Sequence, residues 1–242
     1  KMVRSRISDN KTHYLLLDEV QLMDRFVEVL ISLMHNEVFD IFVTGSNSRF
    51  LSTDIVTEFR GRSQEIRMQP LTFSEYISTF DGDKDEAWSE YIEFGGLPQI
   101  LSFKTKQQKI TYLSNLVETV YIKDIVERNK LKSGEGITEL LRTLASSMGS
   151  PCNPRRISKT FESVEKKHVS SETVARHIRY FNESFLITEA LRYDVKGRKY
   201  IGTETKYYFT DIGLRNSILG FRQIEETHIM ENIIYNELLC RE

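Results

Sequence analysis

The chain has 242 residues, room for two or three small domains, and 40% of them are hydrophobic, which suits packed cores rather than disorder. Its 33 Lys and Arg nearly balance 35 Asp and Glu, which excludes a polycationic coat for nucleic acid but not a local basic face. Cys152 and Cys240 lack metal-ligand spacing, and no apolar run approaches the ~20 residues of a membrane helix. With no signal peptide pattern at the N-terminus and no internal repeat, these features predict a soluble cytoplasmic protein with reduced thiols, no membrane contact and no solenoid.

The first element is the apolar run Tyr14-Leu15-Leu16-Leu17, followed by Asp18-Glu19. An unbroken apolar run reads as a parallel strand covered on both faces, and acids at its carboxyl end emerge where open α/β sheets bind ligands. The hexapeptide has the form of a Walker B segment, in which Asp18 holds Mg²⁺ through its water shell and Glu19 polarises the water that attacks the γ-phosphate of ATP. An ordinary core strand ending in a solvated acidic turn has the same pattern. Phe26, Val27, Val29, Leu30 and Leu33 then recur at helical spacing, and Ile41-Phe42-Val43 is a second strand running into Thr44-Gly45-Ser46-Asn47-Ser48. The order is β-α-β, with both polar strand ends at one edge of a parallel sheet. There Thr44 is a candidate nucleotide contact, and Ser46 or Asn47 a candidate sensor of the γ-phosphate. Arg62 either supplies a transition-state finger or is a surface arginine paired with Glu58 or Glu65. Glu65-Ile66-Arg67-Met68 alternates like a short strand ending at Pro70.

The charged turn Asp81–Glu86 marks a first boundary. Trp88, Tyr91 and Ile92 fit one helix face, with Gly95-Gly96 as its stop and Pro98 beyond. Tyr112, Leu113, Leu116, Val117, Val120, Tyr121 and Ile125 mark a longer amphipathic helix, in which Lys123 and Asp124 are candidates for a salt bridge between elements. Ile137, Leu140, Leu141, Leu144 and Met148 share a helix ended by Gly149-Ser150-Pro151, and a short helix begins near Pro154 with Ile157 and Phe161 inward. Ser170 is a predicted N-cap for a third helix, with Val174, Ile178, Phe181 and Phe185 on one side. The strands Leu186–Leu191 and Lys206–Thr210 flank a hairpin bearing Gly197 and Gly202. Three helices and a hairpin in this order make a winged helix-turn-helix.

In that motif the third helix enters the major groove and the hairpin touches the backbone. Arg176, His177 and Arg179 on the helix and Lys196, Arg198 and Lys199 on the wing are therefore the candidate DNA contacts. Residues 151–200 hold 11 Lys and Arg against 6 Asp and Glu, an asymmetry that favours phosphate. A winged helix that docks protein, by a partner or by self-association, has the same elements. Thr210-Asp211 caps a further helix stopped at Gly220, and Ile229, Ile233, Ile234 and Leu238 mark the face of a last one. His177 and His228 have no partners at ligand spacing, so a zinc site is not expected.

The ordered set LLLDEVQ (15–21), IFVTGSNS (41–48), FRGR (59–62), QPLTFSEYI (69–77), EFGGLPQIL (93–101), residues 121–125, 146–151, 206–216 and 231–238 resembles a family of bacterial AAA-like ATPases with a C-terminal region of unknown function. The resemblance implies an α/β partial P-loop NTPase core over 1–80, a helical lid or linker over 81–135, an α+β winged helix over 136–210, and at 211–242 the start of a C-terminal domain. In that family the last helix leads into a region resembling a restriction-endonuclease fold. No Glu-x-Lys element of such a site occurs in residues 211–242, so Glu231 and Glu237 read as structural. The intact protein is then an ATPase using ATP and Mg²⁺. No Gly-x-x-x-x-Gly-Lys-Ser/Thr cradle occurs in this sequence, and the first strand and P-loop would precede Lys1. The chain by itself is therefore expected to be inactive and to bind nucleotide poorly or not at all.

Overall fold

The computed structural model describes residues 11–20, 23–36, 38–45, 59, 62–131, 136–165, 169–191, 205–222 and 226–241. They fall into two compact units, Lys1–Arg67 and Met68–Glu242.

In the first unit, β1 (His13–Leu17) and β2 (Phe39–Val43) pair in parallel, connected through α1 (Phe26–Met34). This is the expected β-α-β order. Leu15 lies opposite Ile41 and Leu17 opposite Val43, and on α1 Leu30 and Leu33 are buried. The burial expected on both strand faces is not found. Successive side chains point to opposite faces, and Tyr14, Leu16 and Phe42 all stand on the exposed one, Leu16 with 78% of its surface open. The predicted strand Glu65–Met68 is also absent. Ile66 and Met68 are exposed and, among the described residues, Glu65–Met68 joins no ladder; an alternating pattern makes a strand only where a neighbouring strand completes its hydrogen bonds.

The second unit starts with two short helices whose beginnings are written in the sequence. Thr72 heads α2 (Phe73–Thr79) and Asp83 heads α3 (Lys84–Phe94), each in a reciprocal capping box with the glutamate three residues on. Asp83 thus puts the charged turn at 81–86 to use as a helix start. Gly95 ends α3 with φ 77°, a conformation that favours glycine. After a 3₁₀ turn at Pro98–Ser102 comes α4 (Lys106–Asn115), capped by Thr105, which continues through a π-helical stretch at Leu116–Ile122 into α5 (Lys123–Arg128). Lys123 and Asp124 do not bridge elements. Asp124 pairs with Arg128 and Lys123 with Glu127, one turn along the same helix, where i,i+4 neighbours meet.

Next come α6 (Ile137–Ser146), α7 (Pro154–Thr160) and α8 (Ser171–Glu183), the last capped by the Ser170 hydroxyl, which accepts from Thr173 N at 3.2 Å. The strands β3 (Ile187–Ala190) and β4 (Lys206–Phe209) pair antiparallel, and Cys152 pairs with Thr205 beside them. Then α9 (Ile212–Ile218) crosses the centre of the unit, touching α3, α4 and α6, and α10 (Glu226–Leu239) lies against β4. One apolar core runs through the unit. It joins Tyr76, Tyr91 and Phe94 to Leu113, Leu140, Leu144, Phe181, Phe209 and Ile233. Each fully buried side chain of this size contributes on the order of 1.5–3 kcal/mol. On α10, Ile229 and Ile233 are buried as expected, whereas Ile234 and Leu238 are exposed. One residue turns a helix by a quarter circle, so these are two stripes rather than one face. Among the described residues, no helix is long and apolar enough to cross a membrane.

Candidate functional site

At the carboxyl end of the parallel pair, the two strands are tied across their polar tips. Thr44 N donates to Leu17 O at 2.9 Å, extending the ladder by one step, and Val20 N returns to Thr44 O at 3.3 Å. Between these bonds the chain must turn sharply. Glu19 does so at φ 48°, which carries Val20 into a buried position and leaves Asp18 exposed and Glu19 half-buried. The Thr44 hydroxyl serves both acids of the pair. It accepts from Glu19 N at 3.2 Å and donates to Asp18 Oδ1. One hydroxyl thus fixes the direction of an exposed carboxylate.

The structure therefore brings together Asp18, Glu19 and Thr44. Arg62 is exposed, and its N–H donates to Phe59 O at 3.0 Å. Ser46 and Asn47 lie outside the described residues. Among those described, no group of three or more His, Cys, Asp or Glu converges. A cation at Asp18 would thus be held by one carboxylate, its own water and a ligand's phosphate oxygens, which is how Mg²⁺ is commonly bound. Hard oxygen donors fit that ion. The residues that would cradle the phosphates are not in this sequence.

On α8 the predicted DNA face divides. Arg176 and Arg179 are exposed, Arg179 lying 3.7 Å from Glu183. His177 is 1% exposed and belongs to the inner side with Val174, Ile178 and Phe181. It is three residues from Val174 and four from Phe181, one helical turn either way, so its ring is directed inward and cannot reach a groove. Lys196, Arg198 and Lys199 lie outside the described residues. Glu231 accepts from Lys206 Nζ and Tyr208 OH, each at 2.6 Å, and Glu237 from Phe73 N at 2.8 Å. Both glutamates hold the fold together.

Sequence reasoning quoted two motifs without seeing that they meet. Asp211, the N-cap of α9, sends its carboxylate into the turn after α3 and accepts the backbone N–H groups of Gly96, at 2.7 Å, and Leu214, at 3.1 Å, while the N–H groups of Leu97 and Gly213 add to the stabilisation of its charged form. Complete burial outweighs these four donors and raises its pKa from the ordinary carboxylate value to about 6. Asn216 Nδ2 donates to Ile92 O and Glu93 O, both at 2.9 Å, satisfying carbonyls at the end of α3. Arg215 Nε does the same for Ala145 O of α6 at 2.9 Å. The sequence marks only the separate pieces, a polar residue before a helix, a glycine in its first turn and a Gly-Gly pair elsewhere, and nothing in it pairs the two segments.

Comparison with known proteins matches two successive segments of the chain to different models. Residues 1–77 match the model of an AAA domain, so the N-terminal part is an AAA-like, ATPase-like region. Residues 85–225 match a domain of unknown function (DUF8612). An uncharacterized protein of Haemophilus influenzae is 31% identical over 239 residues, covering 97% of this chain and 59% of the relative. One of Methanocaldococcus jannaschii is 25% identical over 253 residues, covering the whole chain and 56% of the relative. The chain thus spans somewhat over half the length of the curated relatives it matches. With well over half of its residues inside the second match, the chain belongs to the family that carries the domain of unknown function DUF8612, here preceded by an AAA-like region.

Proposed function

We propose that Asp18, Glu19 and Thr44 are the acidic half of a nucleotide site, and that a polypeptide supplying a P-loop as well binds Mg-ATP there and hydrolyses it. The observation that carries this reading is the Asp18 carboxylate at the end of a parallel strand, oriented by the hydroxyl of the first residue after the neighbouring strand, inside the AAA-matched segment. Bound Mg-ATP supplies the electrophilic γ-phosphorus and the charge that stabilises transfer. Asp18 holds the ion's water shell, Thr44 keeps Asp18 turned outward, and Glu19, half-buried on the strained turn, accepts the proton of the attacking water. Arg62 stands by to neutralise charge, in this chain or against a neighbour. The full-length polypeptide should bind a fluorescent ATP analogue in the presence of Mg²⁺, and Asp18→Asn should weaken that binding by roughly tenfold or more, about 1.4 kcal/mol. Equal affinity in the variant would remove Asp18 from the site.

The same proposal reads residues 136–210 as a winged helix that acts as the output module. What supports it is the order of α6, α7, α8, β3 and β4, with the Cys152–Thr205 pair as a third short strand. Arg176 and Arg179 then meet DNA phosphate. Duplex binding should be salt-sensitive, and Arg176→Ala should lower the slope of log K against log salt by about 0.9 if one phosphate contact is lost. An unchanged slope would favour protein docking instead.

A further inference from the structure

α10 carries apolar residues on two separate sides. Its inner side is fully used. Ile229 and Ile233 are buried, Asn232 exchanges two bonds with the Phe209 backbone at 2.7 and 2.8 Å, and Asn236 Nδ2 donates to Phe209 O and Thr210 O at 3.0 Å each. Its two flanks are used as well. Glu237 holds Phe73 N on one, while on the other Glu231 holds Lys206 and Tyr235 stacks on Tyr208 with ring centroids 4.2 Å apart. Between the flanks, turned away from the core, run Met230, Ile234 and Leu238, exposed by 42, 52 and 58%. Their i, i+4, i+8 spacing makes a continuous stripe, where a rim helix normally presents polar residues. A helix apolar on opposite sides is the pattern of an element between two layers.

The DUF8612 match closes at residue 225, one residue before α10 begins, so α10 stands outside the matched domain although it is bonded to that domain's last strand. The curated relatives are also longer than the segment they share with this chain, which spans 59% and 56% of them. We propose that the outer stripe of α10 is the docking surface for further polypeptide of the same protein, the part carried beyond the shared segment, and that α10 is the helix held in common by both layers. A second copy is the weaker occupant. Three side chains on one helix fall well short of the ~800 Å² per partner of a standard interface. A tethered segment needs less, because its effective concentration is set by the connection.

The test uses the full-length polypeptide with Cys240→Ser and Ile234→Cys, leaving Cys152 buried, and follows native thiol labelling against a Leu191→Cys control, Leu191 being 69% exposed. Labelling at position 234 should be slower than at 191 by roughly 100-fold, since it then requires local opening, and dilution should not change it. Leu238→Cys gives an independent reading of the same stripe should the first variant fold poorly. Equal rates at 234 and 191 would overturn the proposal. So would protection that disappears on dilution together with a dimer mass, which would assign the stripe to a second copy.

Discussion

Gly213→Ala is expected to destabilise the protein by more than about 3 kcal/mol, and to leave little folded second unit at 37 °C. A Cβ at this position would stand 1.9 Å from Phe94 O and 2.4 Å from Phe94 C. The obstacle is backbone, and it has no freedom to retreat. Asn216 holds the carbonyls of residues 92 and 93 just before it, while Asp211 holds Gly96 just after. The crossing of α9 over the end of α3 would have to open as a whole. Gly220 provides the control. Its φ is positive, 63°, but nothing lies within 4 Å of where its Cβ would be, so Gly220→Ala should cost only about 1 kcal/mol. Urea unfolding of the two variants checks both numbers, and similar midpoints would mean that the α3–α9 crossing is looser than described.

Asp211→Ala should cost about 2–6 kcal/mol near pH 4, because the buried N–H groups of Gly96 and Leu214 lose their acceptor at 1–3 kcal/mol each. The cost should shrink as pH rises. The folded-state pKa of about 6 lies above the ordinary 3.8, so between those values the native protein binds the proton and the unfolded chain does not. Stability from this group is therefore full below about pH 4 and declines as pH rises through 6, by about 3 kcal/mol for a shift of this size. Other carboxylates pull the total profile the opposite way; Glu231 and Glu75 have lowered pKa values, from the Lys206 and Tyr208 bonds and from the Thr72 bonds respectively. The informative quantity is thus the difference between native and Asp211→Ala stability measured at each pH. A difference that narrows from pH 4 to 7.5 supports the burial-dominated carboxylate. One that stays flat would mean the four N–H donors keep it ionised throughout.

The sequence made the elements legible where local chemistry decides them. Ser170, Asp211, Gly95 and Gly220 end or begin helices as their side chains dictate, and the β-α-β unit follows from period and order alone. It misled where a partner decides. Leu16 and Ile234 look like core residues from spacing, yet spacing names a face and not what covers it. Glu65–Met68 has a strand's alternation but joins no ladder among the described residues. His177 was placed with Arg176 and Arg179 because all three are polar, but its position one turn from both Val174 and Phe181 sets it inward. Of the candidate site, Asp18 and Glu19 were visible as acids after an apolar run. The meeting of Asp211 with Gly96, 115 residues apart, was not visible, because nothing local specifies a contact of that range.

ATP turnover by the full-length polypeptide, native against Glu19→Gln, tests the central claim most directly. The amide keeps the size and turn geometry of Glu19, and leaves its backbone bond to Thr44 in place, but cannot take up the proton of the attacking water. Mg-ATP binding should survive while hydrolysis falls by roughly 10²–10⁴-fold. Hydrolysis at the native rate in the Glu19→Gln protein would contradict the account, and would return Asp18-Glu19 to an ordinary acidic turn at the end of a strand.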